Sequence, residues 1–245
     1  MESKFDTLQS MPRRRRVHID GLPLHIVQRG HNREPCFFAD ADFLAYHHWL
    51  EGALRDTDCA LHAYVLMTNH VHLLLTPARA ALVPNLLIAL GRRYVQYVNK
   101  TYRRTGTLWD GRYKSSLVEA DAYLLTCMRY IELNPVRAAM VRDPASYRWS
   151  SHPANGHGHL DGLLTRHSLY QELGATDLDR QAAYRRLFRA ELGGDAIDDV
   201  RLALDRDQPL GSGRFRAAVE RMLGRRCVAQ PRGRPRRAAA DVAEN

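Results

Sequence analysis

At 245 residues the chain has room for one catalytic domain of about 150 residues and a smaller appendage. Lys and Arg number 36 against 27 Asp and Glu, a formal charge of +9, and 45% of the residues are hydrophobic. No apolar run approaches the roughly 18 to 20 residues of a bilayer crossing, and no membrane partner is expected. Four scattered cysteines (Cys36, Cys59, Cys127 and Cys227) make neither a zinc knuckle nor a disulfide framework.

The cysteines are expected to be reduced and mostly buried. Met11-Pro12-Arg13-Arg14-Arg15-Arg16 offers no apolar signal region, so a cytoplasmic, nucleoid-associated location is expected. The Arg-weighted surplus suits phosphate, because a guanidinium presents a planar donor fork. A GC-rich genome also enriches Arg and Ala, so charge alone leaves the polyanionic partner open.

The first ordered pattern is the strand-like Leu24 to Arg29, followed by helical spacing of Phe43, Leu44, Trp49, Leu50 and Leu54 within Asp40 to Arg55. Two apolar runs, Ala60 to Met67 and His70 to Thr76, flank Thr68-Asn69 as the arms of a tight β-hairpin. After Pro84 a basic helix runs to Arg104, and Leu108 to Val118 reads as extended. Asp121 is expected to cap a helix that Pro135 interrupts near Asn134. The order β-α-β-β-α-β-α predicts an α+β fold, a central antiparallel β-sheet flanked by helices. Beyond a Gly- and His-rich stretch near residue 160, helices at Thr176 to Leu192, Asp195 to Leu204 and Ser212 to Leu223 predict a small C-terminal helical module. The predicted domains are a flexible basic arm at 1–16, a main domain at 17–155, the accessory module at 160–224 and a basic disordered tail at 225–245.

Within the hairpin's second arm, His70 and His72 share one strand face while Val71 packs on the other. A bare His-x-His pair is usually exposed or hydrogen-bonded, but in an apolar strand an imidazole needs a partner such as a metal ion or a carboxylate. Tyr130 and Asn134 stand one helical turn apart, either as a core aromatic and a helix-ending residue or as a nucleophile and an oxygen ligand. Taken together the two pairs suit a metal held by His70, His72 and Asn134, with Tyr130 attacking a phosphodiester. Arg92 on the basic helix, and Arg112 and Lys114 on the extended segment, are candidate DNA-backbone contacts. Tyr94, Tyr97, Tyr102, Trp109 and Tyr113 divide between the core and base stacking.

Three stretches, Tyr64-Val65-Leu66-Met67-Thr68-Asn69-His70-Val71-His72-Leu73-Leu74, Trp109-Asp110-Gly111-Arg112-Tyr113 and Tyr130-Ile131-Glu132-Leu133-Asn134-Pro135-Val136-Arg137, carry a family resemblance. With Tyr147-Arg148-Trp149-Ser150-Ser151 they make the region from about Val17 to Ser151 resemble the REP-associated tyrosine transposases, relatives of the IS200/IS605-type enzymes. The resemblance implies an HUH endonuclease fold and a Mg²⁺ or Mn²⁺ site. It also implies cleavage of single-stranded DNA, at hairpins of the REP type, to a 5′-phosphotyrosine and a free 3′-OH. His70 and His72 match the metal ligands and Tyr130 the nucleophile, whereas related enzymes place Gln where this chain has Asn134. Pro231-Arg232-Gly233-Arg234-Pro235 resembles an AT-hook, which makes Arg232 and Arg234 candidate minor-groove contacts. A monomer is expected, with a dimer open. A DNA-binding protein that has lost cleavage, or a metallohydrolase with a structural Tyr130, are the competing readings.

Overall fold

A computed structural model describes residues 16–227. Strand β1 (Leu24–Arg29) leads into helix α1 (Asp40–Thr57), the hairpin of β2 (Cys59–Met67) and β3 (His70–Pro77), and helix α2 (Val83–Thr101). Strand β4 (Lys114–Leu117) and helix α3 (Ala120–Glu132) complete the main order, and α4 (Asn134–Arg137) follows almost without a break. Then come α5 (His152–His157), α6 (Ser168–Gln171), α7 (Asp177–Leu187), α8 (Gly194–Asp205) and α9 (Gly213–Leu223). The fold is α+β: four antiparallel strands in the order β2-β3-β1-β4, with helices on both faces.

Register distributes the side chains. Lys114, Val27, His72 and Val65 form one row across the sheet, and Arg29, His70 and Met67 form a parallel row on the same face. Helix α3 covers this face, since the Tyr130 ring meets the rings of both His72 and His25. The opposite face, carrying Tyr64 and Leu73, meets α1, where His47 touches the Tyr64 ring. Both edges of the sheet are covered, which removes a template for unwanted strand pairing. Ser150 and Leu164 bridge to β2, and Leu210 lies beside the β4 end, donating to Leu117 O at 2.7 Å.

Local chemistry moves some elements from their expected places. The extended segment is broken at Gly111 (φ +90), so Trp109 bridges Gly30 on its own and regular pairing resumes only at Lys114. Asp121 sits inside the first turn of α3 rather than at its cap. Thr176 does cap α7, accepting from Asp179 N, and that helix ends at Leu187. Helix α7 packs on α5 and α6, while α8 packs on α3, β4 and β1. All four cysteines are free and buried.

Two buried polar groups tie these layers together. Glu132, fully buried at the end of α3, accepts from Ser151 Oγ (2.6 Å), Asn155 Nδ2 (2.9 Å), His152 Nδ1 (2.9 Å) and Tyr184 OH (2.9 Å). On β2, His62 donates from Nδ1 to Thr165 O (2.7 Å) and accepts at Nε2 from Thr76 Oγ1 (2.8 Å). Burial lowers the His62 pKa from 6.5 to about 4.

Glu132→Gln turns one accepting oxygen into a donor facing two donors. It is expected to cost about 2–4 kcal/mol, read from urea unfolding. A cost below about 0.5 kcal/mol would mean that the carboxylate is not the tie described. His62 yields a pH effect of definite sign. Between pH 6.5 and about 4 the unfolded chain binds a proton that folded His62 excludes, so stability present above pH 6.5 is lost as pH falls through that window. His62→Gln should shallow the decline of the urea midpoint over this window, and an unchanged slope would contradict the assignment.

Candidate active site

The two histidines of β3 are held by different neighbours. His70 donates from Nδ1 to Asn69 Oδ1 at 2.7 Å, and the Asn69 amide is itself oriented by donation to Arg33 O at 2.9 Å. With Nδ1 protonated, His70 Nε2 keeps its lone pair. His72 is 4% exposed, and its Nδ1 lies 2.9 Å from Nε2 of His25, one strand over on β1. His25 Nδ1 is buried and has no hydrogen-bond partner among the described residues. The arrangement His72 Nδ1–H to His25 Nε2 leaves His72 Nε2 as the free donor atom and puts the remaining proton on His25 Nδ1.

Burial dominates the acid–base state of all three rings. It lowers His25 to about 3, and with Arg29 it lowers His70 to about 4. His72 falls well below the ordinary value, first by burial and then through His25, His70, Arg137 and Arg29. The rings are therefore neutral at neutral pH, the state a metal ligand requires. Sequence reasoning singled out His70 and His72 but missed His25. Its only signal was a histidine inside the apolar run Leu24-His25-Ile26, and its pairing with His72 depends on a strand contact 47 residues apart.

Opposite the histidines stands Tyr130, 6% exposed, its ring centroid 5.9 Å from both the His72 and His25 rings and nearly perpendicular to them. The end of α3 explains how it is held. Pro135 has no N–H for Ile131 O, and Asn134 Nδ2 donates there at 3.1 Å and to Tyr130 O at 3.0 Å. That use of the amide nitrogen leaves Asn134 Oδ1 as an acceptor. Arg137 donates to Tyr130 O at 2.6 Å and lays its guanidinium 4.3 Å from the centre of the Tyr130 ring, a cation–π contact.

His70, His72, Tyr130 and Asn134 line one cavity of about 570 Å³. Arg29, Arg33, Arg112 and Lys114 supply positive charge at its wall, and Asp110 and Asp205 negative charge. A Cβ at Gly30 would come within 2.2 Å of Glu34 O, so this position needs glycine for the tight loop that brings Arg33 to the wall. Lys114 pairs with Asp205 at 2.7 Å across an exposed surface.

The other candidates are placed differently. Arg92 sits on the exposed face of α2, outside the cavity lining, and Arg232 and Arg234 lie outside the described residues. Among the aromatics, Tyr94, Trp109 and Tyr113 are buried, and the hydroxyls of Tyr97 and Tyr102 donate to Asp42, so these rings serve the core.

Among the described residues no three His, Cys, Asp or Glu side chains cluster as a metal site. His70, His72 and Asn134 line this one cavity, and two imidazoles with an amide oxygen are a donor set that fits a divalent ion completing its shell with water or phosphate oxygens.

Residues 18–134 match the model of the family described as "Transposase IS200 like". This domain belongs to the IS200-like transposase family. Among solved structures, the chain is similar to a REP-associated tyrosine transposase bound to a REP hairpin, with 16% identity and a TM-score of 0.53 over 64% of this chain and 93% of that one. A candidate transposase from Deinococcus radiodurans R1 aligns at 20% identity and a TM-score of 0.33, over 52% of this chain and 92% of that chain. At 16% identity the first likeness establishes a shared fold. No curated protein sequence matches the chain. The IS200-like match ends at Asn134, so Arg137 and all of α5 to α9 lie beyond it.

Removing the His25 acceptor tests its hold on His72. His25→Phe keeps the space filled and should weaken Mn²⁺ binding roughly 10- to 100-fold, followed by electron paramagnetic resonance of the free ion. Wild-type affinity in that variant would reduce His25 to a packing residue.

Proposed function

We propose that this IS200-like transposase domain cleaves and rejoins single-stranded DNA through a covalent bond to Tyr130. The observation that carries the reading is the convergence of Tyr130, His70, His72 and Asn134 on one cavity with a basic wall. In cleavage the Tyr130 hydroxyl oxygen attacks phosphorus and the bond from phosphorus to the 3′-oxygen breaks. The strand upstream leaves as a 3′-OH, having taken up a proton, and the phenolic proton passes to solvent in the open cavity. The downstream strand stays attached as a 5′-phosphotyrosine. Rejoining is the reverse: a 3′-OH attacks the phosphotyrosine and Tyr130 departs. One phosphodiester is exchanged for another, so no outside energy source is needed.

The chain's own groups have distinct parts in this. Arg137 fixes the ring of Tyr130 and keeps a cation over it while negative charge develops on the phenolic oxygen. Arg29, Arg33, Arg112 and Lys114 attract and seat the phosphate backbone. His70, His72 and Asn134 would hold Mg²⁺ or Mn²⁺, which when bound supplies positive charge to the reacting phosphate.

Hairpins of the REP type are the proposed substrates, supported by the fold shared with a protein bound to such a hairpin. The proposed state is a monomer acting at the nucleoid. Among the described residues no helix is long and apolar enough to cross a membrane.

Incubation with Mn²⁺ and 3′-end-labelled hairpin DNA should give a covalent protein–DNA band on a denaturing gel. Tyr130→Phe should lower that band by about 10³-fold or more, and chelation should abolish it. DNA cut by Tyr130→Phe without any adduct would point instead to water as the nucleophile, and the proposal would fall.

A further inference from the structure

Helix α8 lies outside the family-matched segment, yet Arg201, Leu204 and Asp205 line the same cavity as Tyr130 and His72. Their spacing of three and four residues puts them on one helix face. The helix is held there by the chain that follows it. Asp207 Oδ1 accepts from Ser115 N at 3.2 Å, Gln208 O accepts from Ser116 Oγ at 2.6 Å, and Leu210 runs beside the end of β4. Buried Val200, Ala203 and Leu204 seat α8 against α3 and the sheet.

Two of the cations lining the cavity, Lys114 and Arg201, differ in what neutralises them. Lys114 is paired with Asp205 at 2.7 Å, whereas among the described residues the nearest acid to Arg201 is Asp198 at 3.7 Å, and the Arg201 side chain is 57% exposed. Arg201 also lies close enough to Arg137 to disfavour its charged form, adding to the effect of burial. Arg201 thus presents an exposed cation to the cavity that Tyr130 also lines, and a bound anion would offset its charge. A phosphodiester has the charge, and two free oxygens that match a guanidinium fork.

We infer that α8 supplies Arg201 as a DNA-phosphate contact at the Tyr130 cavity, an addition made by the part of the chain that follows the IS200-like domain. The inference rests on the nuclease reading for its chemistry, but its test separates the two. Binding of the full-length protein to a fluorescent hairpin oligonucleotide is measured with EDTA present, from about 0.05 to 0.3 M salt. Arg201→Ala should weaken binding about tenfold and lower the slope of log affinity against log salt by about 0.7, the loss of one phosphate contact on a single strand. Arg201→Lys should restore the slope. Arg186→Ala, which removes an exposed cation from α7 away from the cavity, should leave both quantities unchanged.

A wild-type slope in Arg201→Ala, with an unchanged melting temperature, would overturn the inference. If alanine lowers the melting temperature, Arg201→Gln keeps the stem and repeats the measurement on a folded protein. Wild-type protein that binds the hairpin but forms no adduct with Mn²⁺ would defeat the nuclease reading, while the salt slope would still decide Arg201. Wild-type protein that does not bind the hairpin would overturn both.

Discussion

The position of Tyr130 depends on a carboxylate it never touches. Glu132 follows it by two residues, which on an α-helix is roughly 200° around the axis, so the two side chains leave α3 on nearly opposite sides. Four donors hold Glu132: Ser151, His152, Asn155 and Tyr184, drawn from two separate segments of chain, the start of α5 and the middle of α7. Fixing one side of the helix fixes the other, and Tyr130 is thereby kept facing His72. A buried carboxylate is stabilising only when its oxygens are satisfied. The segment Trp149-Ser150-Ser151 and helix α7 therefore serve the site although neither lines the cavity.

The sheet supplies the other half by register. Because side chains alternate along a strand, pairing β1 with β3 puts Arg29 beside His70, and Lys114, on the far side of β1, falls in line with His72. His25 then lies within hydrogen-bonding distance of His72. A slip of one residue in this pairing would send the basic residues and the histidines to opposite faces. Neutral rings and cations at the rim are compatible because the rim is exposed to water whereas His25 and His72 are buried and His70 is half-buried.

Much of this was legible in the sequence, for reasons of short range. The order of elements followed from periodicity, the shared face of His70 and His72 from strand alternation, and the stacking of Tyr130 over Asn134 from helical spacing. The Asn-Pro step even announced a helix end, although the use of the Asn134 amide to satisfy Ile131 O needed coordinates. What stayed hidden depends on contacts distant in the chain. His25 reads as an ordinary strand residue until β1 is paired with β3, and Arg201 as a surface charge until α8 is placed against β4. The aromatics were ambiguous because a tyrosine that stacks on a base and one that donates to a buried carboxylate have the same sequence spacing. The extended reading of Leu108 to Val118 missed the turn at Gly111, whose positive φ breaks the strand in two.

The central claim is that Tyr130, and no other group, becomes bonded to DNA. The most direct measurement traps the adduct on an oligonucleotide whose 3′-bridging oxygen at the cleaved bond is replaced by sulfur, digests it with trypsin and sequences the modified peptide by mass spectrometry. The account predicts a 5′-linked nucleotide on Tyr130 within the peptide Tyr130-Ile131-Glu132-Leu133-Asn134-Pro135-Val136-Arg137. A nucleotide on Tyr123 or another residue, or cleaved DNA ending in a free 5′-phosphate with no modified peptide, would contradict it.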